Sequence, residues 1–141
     1  MSRPSHRHFA ILVIDDDPRV RETVTELLAG DGHHVLSTAN GADGLAVART
    51  THLDLILLDF YMPGMNGLEV ARRLKADPLT RRIAVIALTS GTAEHANELS
   101  RAGCIGFIPK PFEPTEFLRL VADTLNATVG RRRPGGSDPG L

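Results

Sequence analysis

Five short apolar runs alternate with segments of helical periodicity along this chain, and this alternation limits the possible folds more than any other feature. The runs that predict strands lie at residues 9–14, 34–38, 53–58, 83–88 and 105–108. The helical segments that follow them lie at residues 18–30, 42–50, 68–77, 92–102 and 114–125. Parallel strands joined by right-handed crossovers need a helix over each connection. The sequence therefore predicts an α/β fold in which a five-stranded parallel sheet is covered by helices on both faces.

Polar side chains close four of the five predicted strands. The first strand ends at Asp15 and Asp16, and the third ends at Asp59. The fourth strand ends at Thr89, and Lys110 follows the fifth. Ligands of open parallel sheets bind at the carboxyl ends of the strands, so we expect these side chains to gather at one edge.

Three neighbouring carboxylates would raise one another's pKa unless a cation lay among them. Mg²⁺ suits such a site because it accepts a few carboxylate or carbonyl oxygens and leaves positions for a phosphoryl oxygen. A carboxylate facing the ion could attack phosphorus and form an aspartyl phosphate. Lys110 would neutralise charge on the transferred group, and Thr89 would donate a hydrogen bond to it.

Four segments carry the motifs of a known family. They lie at residues 11–18, 57–67, 87–90 and 107–112, and read ILVIDDDP, LLDFYMPGMNG, ALTS and FIPKPF. In this order and at these separations they resemble the receiver domains of two-component response regulators, over about residues 9–125. The resemblance implies a CheY-like, flavodoxin-like doubly wound (βα)5 fold with strand order 2-1-3-4-5.

The resemblance also implies a role for each residue around the expected ion. Asp59 would be the phosphorylated residue. Mg²⁺ would be held by Asp15, Asp16, Asp59 and the backbone carbonyl of Tyr61. Asp16 would be the closer ligand, and Asp15 would act partly through water.

The remaining implied roles concern the response to phosphorylation. Thr89 would turn toward the phosphoryl group, Phe107 would fill the vacated space, and Lys110 would contact a phosphoryl oxygen. The bond from Lys110 to Pro111 resembles the family's cis peptide. The phosphoryl adds about −1.5 to −2 charges at neutral pH, and the outer face of the last helix-strand-helix region would change shape in response. That face comprises residues 92–102, 105–108 and 114–125.

Signalling partners follow from the same resemblance. A histidine kinase or a histidine phosphotransfer protein would donate the phosphoryl group, and a downstream protein would receive the signal. We expect a stand-alone receiver, monomeric by default, with homodimerisation through the last helix-strand-helix face as the alternative. The receiver domain is predicted at residues 9–127, with flexible termini at 1–8 and 128–141 that include the run Arg131 to Arg133.

Several of these residues also have ordinary explanations. Asp17 is better explained as a helix cap, and Phe107 could be plain core.

The sequence departs from the family's pattern at three positions. Tyr61 is bulky for its position, Ser90 follows the threonine, and Phe107 stands where many relatives have tyrosine. We expect the first two to tune the access of water to the acyl phosphate. The six histidines receive no role, because their spacing places no two of them on one metal.

Composition limits the other classes of function. The chain has 16 basic and 17 acidic residues, a net charge of −1, which argues against direct binding to nucleic acid. The absence of a long apolar run and of a secretory signal predicts a cytoplasmic protein that does not bind membranes. The single cysteine, Cys104, cannot form an internal disulfide.

Three competing functions can be weighed against the receiver hypothesis. A phosphatase of the haloacid-dehalogenase kind needs a second aspartate two residues after the nucleophile, but Tyr61 stands there, so we expect no enzyme of that type. A nucleotide-binding or flavin-binding protein needs a glycine-rich turn after the first strand, where this chain has three aspartates. An adaptor that is no longer phosphorylated would not need Asp59, Thr89 and Lys110 together.

Overall fold

The computed structural model describes residues 8–90 and 94–136, with side chains for residues 8–90 and 96–128. Strands and helices alternate throughout. The strands are β1 (Ala10–Ile14), β2 (His34–Thr38), β3 (Leu55–Asp59), β4 (Ala84–Thr89) and β5 (Gly106–Pro109). The helices are α1 (Pro18–Gly30), α2 (Gly41–Thr50), α3 (Gly67–Ala76), α4 (Glu94–Arg101) and α5 (Pro114–Gly136).

The five strands form one parallel sheet in the order β2-β1-β3-β4-β5, which confirms the predicted fold class. β3 lies at the centre, and all five of its residues are buried. This burial explains its nearly continuous apolar sequence, because a central parallel strand is covered on both faces.

The sheet separates two apolar layers, and alternate residues of β3 contribute to each of them. Ile56 and Leu58 pack in the layer beneath α2, α3 and α4. Leu55 and Leu57 pack in the opposite layer, beneath α1 and α5. The alternation follows from the two-residue period of a strand. Cys104 is buried in the first layer, where burial raises the pKa of its thiol to about 11.

Polar side chains fix the starts of three helices. The side chain of Asp17 accepts from the backbone N of Arg19 at 2.9 Å, so the prediction that Asp17 caps α1 is confirmed. Asn40 and Asn66 cap α2 and α3 in the same way. Each cap stabilises its helix by about 1 kcal/mol.

The last helix is longer than the sequence indicated. α5 continues to Gly136, so residues 128–136, which we expected in a flexible terminus, are helical. This segment contains Gly130 and Pro134, which are poor helix formers, so neither local propensity nor the polar composition predicted that the helix continues. The remaining predicted termini, at 1–7 and 137–141, and the expected helix start at 92–93 lie outside the described residues.

None of the helices in the described ranges combines the length and the apolar character needed to cross a bilayer.

Candidate functional site

The predicted site residues meet at the carboxyl edge of the sheet. Asp15 and Asp16 follow β1, and Asp59 and Thr89 are the last residues of β3 and β4. One carboxylate oxygen from each of the three aspartates lies within 4.8 Å of the other two. The structure therefore brings together the acids that the sequence places at the ends of β1 and β3.

Asp15 is held by four polar contacts and is fully buried. Its Oδ1 accepts from the backbone N of Asp17 at 2.9 Å, and its Oδ2 accepts from Lys110 Nζ at 3.0 Å. Its backbone N donates to the carbonyl of Thr38, and its own carbonyl accepts from Arg21 Nη1 at 2.7 Å. Asp16, by contrast, is exposed, so its carboxylate remains accessible from solvent.

Lys110 joins two of the three acids. Its Nζ lies 3.0 Å from Asp15 Oδ2 and 3.2 Å from Asp59 Oδ1, and its side chain is 19% exposed. Burial lowers the pKa of Lys110, but the hydrogen bond with Asp15 and the charge of Asp59 together raise it above its ordinary value. The ammonium group therefore stays charged at neutral pH. The peptide bond between Lys110 and Pro111 is cis, as expected.

The negative charge of the Asp59 carboxylate is only partly offset by its neighbours. Its pKa is raised from 3.8 to about 7, chiefly by burial and also by the charges of Asp15 and Asp16, although Lys110 lowers it. One ammonium group therefore does not neutralise three carboxylates. A divalent cation would, and three carboxylates without nitrogen or sulfur donors are the ligands that Mg²⁺ prefers. The residues present fit that ion.

A close contact at Gly67 shapes the loop between β3 and α3. The backbone N of Gly67 donates to the carbonyl of Phe60 at 2.8 Å. A Cβ at position 67 would lie 2.7 Å from Phe60 Cα and still closer to the carbonyl oxygen of Asp59. Only glycine fits there, so Gly67 helps to fix the backbone that carries Asp59.

Thr89 and Phe107 lie on the same face of the sheet. Thr89 is two residues beyond Ala87 on β4, and Ala87 is paired with Phe107 on β5. Ala87 and Phe107 both pack in the layer beneath α4, and side chains two residues apart in a strand share a face. Phe107 is half-buried, and Thr89 is buried at the edge of the sheet.

Two cavities lie at the carboxyl edge of the sheet. One, of about 430 Å³, is lined by Phe60, Tyr61, Met62, Pro63 and Asn66. Tyr61 is 49% exposed, and its ring meets the ring of Phe60 edge to face, with the ring centroids 4.7 Å apart. The other, of about 390 Å³, lies between α1 and the segment after β5, and its lining includes Arg19, Ser90, Lys110 and Phe112.

Arg21 and Gly67 are the site residues that the sequence analysis missed. Arg21 lies one turn into α1, and its spacing from Asp15 gives no indication of a contact with a backbone carbonyl. The close backbone contact at Gly67 could have been predicted, because a glycine directly after the helix-capping Asn66 indicates that another backbone segment approaches closely.

Comparison with known proteins gives a consistent result. The family model described as "Response regulator receiver domain" matches residues 11–122. The chain is 36% identical over 120 residues to protein PilH of Pseudomonas aeruginosa, covering 84% of this chain and 96% of that protein. It is 40% identical over 129 residues to the phosphate regulon transcriptional regulatory protein PhoB of the same organism, covering 91% of this chain and 55% of PhoB. The chain thus spans about half the length of PhoB and nearly all of PilH.

Solved structures agree with the sequence comparison. The chemotaxis protein CheY4 of Vibrio cholerae superposes with a TM-score of 0.79 at 28% identity, covering 83% of this chain and 98% of that chain. The receiver domain of a sensor histidine kinase from Pseudomonas aeruginosa, with a magnesium ion in its active-site cleft, gives a TM-score of 0.77 at 26% identity. It covers 88% of this chain and 99% of that chain.

Proposed function

Because this chain belongs to the response-regulator receiver domain family, we propose that it is a switch that accepts one phosphoryl group on Asp59. A histidine kinase or a histidine phosphotransfer protein would be the donor. The observation that carries this proposal is the clustering of Asp15, Asp16 and Asp59 within 4.8 Å, with Lys110 3.2 Å from Asp59.

The proposed reaction is a single displacement at phosphorus. A carboxylate oxygen of Asp59 forms a bond to phosphorus while the bond from phosphorus to the donor's imidazole nitrogen breaks, and the freed imidazole takes up a proton. The chain's contribution is to position the nucleophile and to offset charge. Lys110 is suited to the second task, because Asp15 holds its ammonium group beside the attacking oxygen.

Mg²⁺ would be held by Asp15, Asp16, Asp59 and the backbone carbonyl of Tyr61. When bound, the ion supplies positive charge to the acids and to the phosphoryl oxygens. The raised pKa of Asp59 supports this proposal, because it reflects burial together with the negative charges of Asp15 and Asp16, which Lys110 offsets only in part.

The signal would pass through Thr89 and Phe107 to a downstream protein. Thr89 turns toward the new phosphoryl oxygens, and Phe107 moves into the space beneath α4. The position of both residues on one sheet face supports this coupling. Leu99 is the one buried side chain among the described residues of α4, so a small change beneath this helix should suffice to shift it.

The test is incubation with acetyl phosphate and Mg²⁺, followed by intact mass spectrometry. We expect a gain of one phosphoryl group, which hydroxylamine removes and which EDTA or Asp59→Asn prevents. Asp17→Asn is the matched control, since asparagine caps a helix as well as aspartate does and this variant should be labelled like the parent.

Two outcomes would contradict the proposal. Unchanged labelling of the Asp59→Asn variant would place the acceptor elsewhere. Steady hydrolysis of many acetyl phosphate molecules per protein would favour a phosphatase.

A further inference from the structure

A basic surface lies at the end of the molecule opposite to Asp59. It is formed where α3 ends, where the following loop leads into the start of β4, and where α4 ends. The start of β4 is the amino edge of the sheet, whereas the site acids lie at the carboxyl edge. We define the basic surface by Arg72, Lys75, Arg81, Arg82 and Arg101.

The charges of this surface are largely uncompensated. In the part of the chain with described side chains, Arg72, Arg81, Arg82 and Arg101 are exposed and have no carboxylate within ion-pair distance. The nearby acid Asp77 is paired with Arg49 at 2.7 Å. The whole chain carries a net charge of −1, so this concentration of cations leaves the remaining surface acidic.

Leu79 projects from the same loop and is 64% exposed. The loop is tightly held, because the backbone N of Leu79 donates to Asp77 Oδ1 at 2.9 Å and that of Arg81 donates to the Asp77 carbonyl at 2.9 Å. The adjacent Thr80 is buried, and its hydroxyl donates to the carbonyl of Leu74 at 2.7 Å. Leu79 is therefore held outward by the fold, and a partner that binds it need not order the loop.

Lys75 joins the parts of the basic surface into one unit. Its Nζ donates to the carbonyl of Arg81 at 2.9 Å, which ties α3 to the loop. Gly103, which has a φ of +107°, lies so close to the Lys75 stem that an added Cβ would be 2.6 Å from Lys75 Cγ. This contact brings the end of α4, with Arg101, against the end of α3.

We propose that the basic surface docks an acidic segment of another protein, one that also carries a large apolar side chain to pack on Leu79. Arginine side chains pair with carboxylates through a rigid fork of donors, and Leu79 adds an exposed apolar side chain on the same loop as Arg81 and Arg82. Duplex DNA fits less well, because it offers nothing apolar to an exposed leucine and the chain has no net positive charge. A membrane fits less well because one leucine buries too little apolar area to anchor a protein.

The location has a functional consequence that is independent of phosphorylation. The basic surface and the site acids lie at opposite ends of the strands, so a protein docked at the basic surface leaves Asp59 accessible to a phosphoryl donor. Docking should therefore persist in the Asp59→Asn variant.

The test is selection of a random twelve-residue peptide library, displayed on phage, against the full chain. We expect the enriched peptides to be acidic and to contain at least one large apolar residue. By fluorescence anisotropy, their affinity should fall at least tenfold for the double variant Arg81→Gln/Arg82→Gln and severalfold for Leu79→Ser. Matched controls are Arg119→Gln and Leu36→Ser, which make the same changes at exposed positions elsewhere and should leave binding unchanged. Circular dichroism of each variant checks that it is folded.

Three results would overturn the proposal. The first is that the enriched peptides carry no excess of acidic residues, and the second is that they bind the Arg81→Gln/Arg82→Gln variant as tightly as the parent. The third concerns phosphatidylglycerol vesicles, under conditions where the peptides do not bind. If the parent sediments with these vesicles and the Arg81→Gln/Arg82→Gln variant does not, the basic surface binds lipid.

Discussion

The pKa of Asp59 is raised by burial and by the neighbouring negative charges of the site. Asp59 is buried beside Asp15 and Asp16, and Lys110 compensates only part of their charge, so its pKa rises to about 7. A carboxyl group with a raised pKa in the folded state holds its proton at a pH at which the unfolded chain has already lost it. Ionised Asp59, the proposed nucleophile, therefore destabilises the metal-free fold.

This argument gives a pH dependence for the metal-free protein. Between about pH 4 and pH 7 the folded state binds more protons at Asp59 than the unfolded state, so its contribution to stability falls as the pH rises through that window. In EDTA at pH 8, Asp59→Asn should be more stable than the parent by roughly 1 to 3 kcal/mol, and the difference should shrink at pH 5. Urea denaturation at both pH values measures this, and a parent that is the more stable protein at pH 8 would contradict it.

At the scale of elements, the loop from β3 to α3 depends on the backbone of Gly67 lying against that of Asp59 and Phe60. Two features hold it, the cap of Asn66 on α3 and the hydrogen bond from Gly67 to Phe60. The position of the strand end is therefore set by the start of the following helix.

We expect Gly67→Ala to destabilise the protein by roughly 1 to 3 kcal/mol, because the new methyl group meets backbone that cannot move aside. It should also slow labelling by acetyl phosphate. Gly30→Ala is the control, since a Cβ there meets nothing within 4 Å and alanine favours the helix. In urea denaturation, the free energy of unfolding should fall for Gly67→Ala and rise for Gly30→Ala, relative to the parent. Equal stability of Gly67→Ala and the parent would refute the argument.

The sequence predicted the elements and the residues of the site better than it predicted the contacts between them. The strand order was implied by the resemblance to receiver domains. The cap at Asp17 and the meeting of Asp15 with Asp59 follow from composition and from the rule that ligands bind at strand ends. The hydrogen bond from Arg21 to the Asp15 carbonyl depends on the relative placement of a helix and a loop, which local pattern does not encode. The length of α5 was missed because Gly130 and Pro134 are poor helix formers and the polar composition favoured a tail.

At the scale of the whole molecule, negative charge is concentrated at one end of the sheet and positive charge at the other. The acids at the carboxyl edge are short of positive charge, whereas the basic surface at the amino edge is short of negative charge. The folded chain should therefore bind a divalent cation at the acidic end, and the unfolded chain should not, because unfolding separates β1 from β3.

Mg²⁺ should accordingly stabilise the fold by mass action. At a free concentration ten times its Kd, the gain is about 1.4 kcal/mol, which raises the Tm by a few degrees. Asp16→Asn should lose most of this gain, because it removes the exposed carboxylate of the cluster while leaving the buried pair of Asp15 and Lys110 intact. Differential scanning calorimetry with Mg²⁺ or with NaCl of equal ionic strength tests this, and an equal shift in both salts would exclude a specific site.

The separation of the core by the sheet bears on how such a protein can diversify. Residues beneath α4 share no layer with those beneath α1, because β3 sends alternate side chains to opposite sides. Substitutions that repack one side should therefore leave the other largely undisturbed. The side chains beneath α1 and those beneath α4 can therefore change at different times in different descendants, without either change requiring the other.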